Sequence, residues 1–149
     1  MKRKLLIAGR LILGAIFVVA AYMKLKAPWL EFAGSLNAFE ILPETWLEPV
    51  ARTLPWAELA LGVALISGIF EKWFSLVAAL LLGLFFTVMV RSYVVGLKID
   101  CGCFGPGEAL GPKTLARDFS MLALAVAVAV ASFRRKEPPA MPAQAGDVT

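Results

Sequence analysis

The chain has 149 residues, 60% of them hydrophobic and 17% charged, with a mean hydropathy of +0.78 and a formal net charge of +4. Soluble domains are about 45–50% apolar, so this excess excludes an ordinary water-soluble domain and points to lipid as the solvent. No histidine is present, which excludes His-based acid–base catalysis, His-ligated haem and His metal sites.

The net positive charge does not point to nucleic acid. Lys2-Arg3-Lys4 and Arg134-Arg135-Lys136 each abut an apolar run, so they read as topology signals and lipid-headgroup contacts. Four segments, at about residues 5–24, 53–70, 73–95 and 115–133, approach the roughly 20 apolar residues that cross a ~30 Å hydrocarbon core. The first is interrupted only by Arg10, which is expected to snorkel to the headgroups of one leaflet. Its alternative is a cleaved signal peptide, with Lys2-Arg3-Lys4 as the n-region and Ala20-Ala21 near the cut. The length of the run, Arg10 and three further spans favour a retained helix.

After Lys24, Pro28 suits the first turn of a helix. Trp29, Phe32, Ala33, Leu36 and Phe39 then fall on one helical face, with Glu31, Ser35 and Asn37 elsewhere. This pattern predicts an amphipathic helix at the membrane surface, and it is equally compatible with a lid packed on the other helices. Pro43, Pro49 and Pro55 punctuate the return to the second span, which carries Glu58. The third span is uncharged until Arg91, and Arg117 and Asp118 stand near the start of the fourth. Alternating Ala and Val from Ala123 to Ala131 imitates a strand, but a lone strand cannot satisfy its backbone in lipid, so a helix is predicted. Residues 137–149 hold three prolines and no apolar pattern, and are expected to form a disordered cytoplasmic tail.

The expected fold is an all-α integral membrane four-helix bundle over residues 1–136, with an interfacial amphipathic helix in the first outer loop. Lysine and arginine are concentrated at the two termini, which places both in the cytoplasm and the two longer loops outside. A bacterial inner-membrane location follows, with the cysteine loop in the periplasm.

That loop is the sharpest local feature: Ile99-Asp100-Cys101-Gly102-Cys103-Phe104-Gly105-Pro106-Gly107, with the only two cysteines of the chain. A disulfide within Cys-X-Cys closes a small ring whose strain favours exchange over stapling. Lys98 would favour a thiolate and Asp100 would oppose it. A soft-metal site on Cys101 and Cys103, or no chemistry at all, stays open. Ionisable groups in a span usually face other helices and pair, so Glu58, Arg91 and Asp118 complete the candidate site. Glu58–Arg91 is the first expected pair, with Asp118 and Lys24 as the other partners considered. Their two readings are a proton path to the dithiol and a structural network that sets helix register.

Leu36-Asn37-Ala38-Phe39-Glu40-Ile41-Leu42-Pro43, then Leu54-Pro55-Trp56-Ala57-Glu58-Leu59 with Leu61-Gly62, then Ile99-Asp100-Cys101-Gly102-Cys103-Phe104-Gly105, resemble the MauE/DoxX-like redox-associated membrane proteins. The resemblance covers about residues 24–133 and implies a four-helix membrane bundle. It also implies a link to disulfide formation during maturation of periplasmic methylamine dehydrogenase, or, through DoxX, to thiosulfate:quinone oxidoreduction. Cys101 and Cys103 would be the redox pair and Glu58 the buried acid. Some relatives carry a fused thioredoxin-like domain that this sequence lacks, so a separate partner would be needed.

The leading expectation is a thiol–disulfide oxidoreductase, or a redox accessory to one. It would exchange with a periplasmic thioredoxin-like or disulfide-containing protein and pass electrons to a membrane quinone as candidate cofactor. Quinone relays of this kind generally use two cysteine pairs, and this chain has one. The alternatives are copper or mercury binding or transfer through Cys101 and Cys103, and a non-catalytic accessory subunit of a larger membrane complex. In that last case, faces such as Ala123-Ala125-Ala127-Ala129 would dock neighbours.

Overall fold

The computed structural model describes residues 2–102 and 104–135. In chain order it holds α1 (Lys2–Lys26), α2 (Trp29–Ala38), α3 (Glu44–Ser67), α4 (Glu71–Val95), β1 (Asp100–Gly102), β2 (Gly105–Ala109) and α5 (Pro112–Arg134). The four long helices α1, α3, α4 and α5 are each apolar and long enough to cross a membrane. Helices satisfy their own backbone groups, which is the requirement lipid imposes. Large apolar side chains such as Val63, Leu80, Leu84 and Val94 face outward from them, as lipid permits and water does not. Cys103 and the expected disordered tail lie outside the described residues.

Helix α1 packs along α3, α4 along α5, and α1 also touches α5. The α1–α3 contact is set by two glycines. A Cβ on Gly14 would lie 2.9 Å from the Gly62 carbonyl oxygen, and one on Gly62 would lie 2.9 Å from that of Gly14. Lipid offers no hydrophobic drive for helix association, so this backbone-to-backbone approach supplies the packing instead. Leu13, Phe17, Leu61, Leu65, Ala78 and Ala125 fill the centre.

Helix α3 begins at Glu44, and Pro49 and Pro55 lie inside it rather than breaking it. A proline within a helix removes one hydrogen bond and crowds the preceding turn. Here the turn around them is supported by other groups. The Thr53 hydroxyl donates to the Pro49 carbonyl at 2.6 Å, and Arg52 bridges Glu48 at 3.0 Å. The small residue Ala51 is buried against Phe32 and Ala33 of α2, so α2 packs on this same stretch.

Between α4 and α5, β1 and β2 form an antiparallel hairpin where an irregular loop is expected from the sequence. Asp100 faces Ala109 and Gly102 faces Gly105, with an irregularity between the two pairs. Gly107 lies within it at φ +97°, a conformation that costs glycine little, and its N–H donates to Asp100 Oδ2 at 3.2 Å. The hairpin is extended at its base by Leu110 N–H, which donates to the Ile99 carbonyl at 2.8 Å. The Thr114 hydroxyl of α5 adds a bond to the Ala109 carbonyl at 3.1 Å.

Candidate functional site

The hairpin turns Cys101 inward. Its side chain is 3% exposed, packed with Phe39 and Met89 and bordered by Val88, Ile99, Leu110 and Leu115. An accessible sulfur is expected from the sequence. Burial follows instead because β1 runs beneath the end of α2, against α4.

Two charged side chains reach the sulfur. Arg117 Nη2 lies 3.8 Å from Cys101 Sγ, and the thiol lies 3.9 Å from Glu108 Oε2. Arg117 is the centre of this group. Its Nη1 bonds Glu108 Oε1, its Nε donates to Asp118 Oδ1 at 3.0 Å, and its guanidinium stacks 4.7 Å from the Phe104 ring centroid. A planar guanidinium suits this role because its donors point in several fixed directions at once.

A second charged pair lies one layer further into the helices. Lys24 Nζ donates to Glu58 Oε1 at 2.6 Å and to Oε2 at 2.8 Å. The two residues are 4% and 2% exposed. The ammonium also lies 5.1 Å from the centroid of Phe32 and 5.4 Å from that of Phe85. Removing two charges from water is costly, and bidentate geometry with aromatic faces around the cation offsets part of that cost.

The pair differs from the first one expected. Glu58 meets Lys24, while Arg91 is exposed. The helical stripes explain the exchange. On α1, Leu6, Leu13, Phe17, Ala20, Ala21 and Lys24 are all buried, at spacings of three, four and seven that place them on one face. On α4 the buried positions are Ser75, Ala78, Met89 and Ser92, and Arg91 falls off that stripe. Asp118 does face inward, at 5% exposure.

Two cavities connect these groups. The smaller, about 30 Å³, is lined by Lys24, Glu58, Asp118 and Phe104 among others, and has room for a water molecule. The larger, about 240 Å³, lies between α2, α3 and α4 and is lined by hydrocarbon apart from Lys24, Ser35, Met89 and Cys101. Lys24 lines both.

Of the residues singled out from sequence, Cys101, Glu58 and Asp118 are thus brought inward at one end of the helices, while Arg91, at the same end of α4, faces outward. Glu108 was missed. It stands in a short glycine- and proline-rich stretch, and only its nine-residue separation from Arg117, across the turn into α5, could have hinted at the pairing.

Known proteins resemble this chain over most of its length. The family described as methylamine utilisation protein MauE matches residues 2–131. The methylamine utilization protein MauE of Paracoccus denitrificans is 34% identical over 125 residues, covering 82% of this chain and 67% of the relative. That of Paracoccus versutus is 33% identical over the same shares. The Methylophilus methylotrophus protein is 34% identical over 94 residues, 62% of this chain and 49% of its own. No solved structure matches the chain.

Proposed function

This chain belongs to the MauE family, and from that premise we propose that it is a membrane-embedded thiol–disulfide redox protein serving methylamine utilisation. The four spans form one bundle in the bacterial inner membrane. The hairpin end faces the periplasm, and α2 lies at the interface with Trp29 and Leu30 toward the headgroups. The lysines and arginines of the opposite end, at both termini and Lys72, support this sidedness. An oxidising compartment is where a disulfide forms and persists.

The observation that carries the reading is the position of Arg117 beside the Cys101 sulfur, 3.8 Å away. Exchange proceeds through a thiolate, and an adjacent guanidinium stabilises that anion while Glu108 and Asp118 hold the guanidinium in place. Because Cys101 is buried, Cys103 is assigned to meet the partner, a periplasmic thioredoxin-like or disulfide-containing protein. Cys101 then resolves the mixed disulfide. Glu58, Lys24 and Asp118 around the small cavity carry the protons.

Trapping tests the assignment. In cells, Cys101→Ser accumulates a mixed disulfide between Cys103 and an exported protein, visible on non-reducing gels, whereas Cys103→Ser does not. Differential alkylation finds the wild-type pair cycling between states. Cysteines that stay reduced under added oxidant, with no trapped adduct in either variant, would exclude the exchange role.

A further inference from the structure

The larger cavity has the features of a ligand site rather than of a packing defect. Its volume is about 240 Å³, whereas an apolar cavity of about 150 Å³ already holds benzene, and pockets for drug-sized ligands start near 300 Å³. A single substituted ring therefore fits, with nothing larger enclosed. Ile41 and Leu84, both exposed, stand at its edge, so a ring inside could trail an apolar tail into lipid.

Its polar members are few. Cys101 Sγ forms part of one wall, and Lys24 brings an ammonium that spends two donors on Glu58. The ammonium has three, so one N–H has no acceptor among the described residues. A ring bearing a carbonyl oxygen would accept it. An acyl chain offers neither an acceptor for that N–H nor an electron sink beside the sulfur.

We propose that this cavity binds the ring of a lipid-soluble quinone, which re-oxidises Cys101 and Cys103 after each exchange. The proposal rests on the thiol–disulfide reading above and names its electron acceptor. In the step, two S–H bonds break and one S–S bond forms between Cys101 and Cys103. The two electrons and two protons released convert both quinone carbonyls to hydroxyls. Lys24 holds one carbonyl oxygen, and because it also lines the small cavity beside Glu58 and Asp118, it links the reacting ring to the proton-bearing groups.

The test uses the full-length protein, reduced and reconstituted in lipid nanodiscs, with decylubiquinone as the probe. The expected result is one quinol formed per two thiols lost. Leu54→Phe and Leu36→Phe each fill the cavity from a different helix, and each slows re-oxidation by roughly tenfold, the kinetic equivalent of losing a well-fitted ring contact. Exchange of the oxidised protein with a reduced dithiol peptide stays unchanged in both. An azidoquinone labels α2 or α4 of the wild-type protein and is displaced by decylubiquinone, a readout that needs no variant. Normal peptide exchange with no quinone reduction overturns the acceptor assignment and leaves the exchange role standing. Equal quinone rates in wild type and both filled variants overturn the cavity as the site. Co-purified phospholipid that decylubiquinone does not displace identifies an acyl chain as the occupant and overturns the proposal too. Loss of peptide exchange in the wild type removes the exchange role itself.

Discussion

Each end of the helices carries a charged cluster, and the two are built in opposite senses. At the α3–α4 turn a carboxylate is the centre. Glu71 receives Arg10 at 3.2 Å, Arg135 at 3.6 Å and the Ser132 hydroxyl at 3.1 Å. At the hairpin end a cation is the centre, with Arg117 serving Glu108, Asp118 and the Cys101 sulfur. The first cluster ties α1, α4 and the end of α5 together and, among the described residues, encloses no reactive atom. The second adjoins a thiol and lies near cavities lined by Lys24, Cys101 and Asp118. Charge inside a membrane protein is thus a weak sign of function by itself. Charge that converges on a reactive atom beside open space is a stronger one.

The largest effect expected of any change at either end comes from the Lys24–Glu58 pair. Lys24→Met leaves a carboxylate buried without its cation, and removing one member of a buried pair costs about 3–5 kcal/mol. The double variant Lys24→Met/Glu58→Leu replaces both charges with apolar groups of similar size and recovers most of that loss. Thermal unfolding of the detergent-solubilised proteins measures both. If the single and double variants melt together, the pair is not the structural unit described. The double variant also separates stability from chemistry, since it should fold yet re-oxidise slowly.

The second expected effect is smaller and is read as a rate, with some loss of stability because the buried Asp118 loses its cation. Arg117→Gln keeps hydrogen-bonding capacity toward Asp118 and removes the positive charge beside the sulfur. Thiol–disulfide exchange slows by roughly tenfold, because less thiolate is available to attack. Arg117→Lys recovers part of the rate, since it restores charge without the planar fork. Stopped-flow exchange with a small disulfide reads this. An unchanged rate in Arg117→Gln would reduce the hairpin cluster to a tie like the one at Glu71.

The two ends were also unequally legible in the sequence. Spans α1, α4 and α5 announce themselves by length and hydropathy, because a hydrocarbon core sets both. The start of α3 does not, since Pro49 and Pro55 read as punctuation while Thr53 and Ala51 make the turn tolerable. Glu58 stands out as a charge in an apolar run. Its partner does not, because Lys24 and Arg91 are both cations near span ends, and only the three-dimensional stripe on each helix separates them. The hairpin was hidden by its composition, since Gly102, Gly105, Pro106 and Gly107 suggest irregularity. Arg10 hides its partner for a related reason. A lone arginine near one leaflet suggests snorkelling, and its salt bridge to Glu71, made across Gly68, shows only in three dimensions. A Cβ on Gly68 would come within 2.7 Å of Arg10 Nη1.

The smallest expected effect tests whether the Glu71 end is only a tie. Glu71→Gln keeps an acceptor oxygen for the Ser132 hydroxyl and for Arg10, but removes the negative charge that two arginines share. Partly buried charge-assisted bonds are worth about 1.5–3 kcal/mol each before solvent screening. Arg135 is half exposed at 43%, so little of its share survives. Retained hydrogen bonding from Arg10 offsets part of the rest, which leaves a net loss of about 1 kcal/mol in stability. The rates of peptide exchange and quinone reduction should both equal those of the wild type. If either falls, the charge at one end of the helices is felt at the sulfur on the other, and the division between a structural end and a reactive end fails.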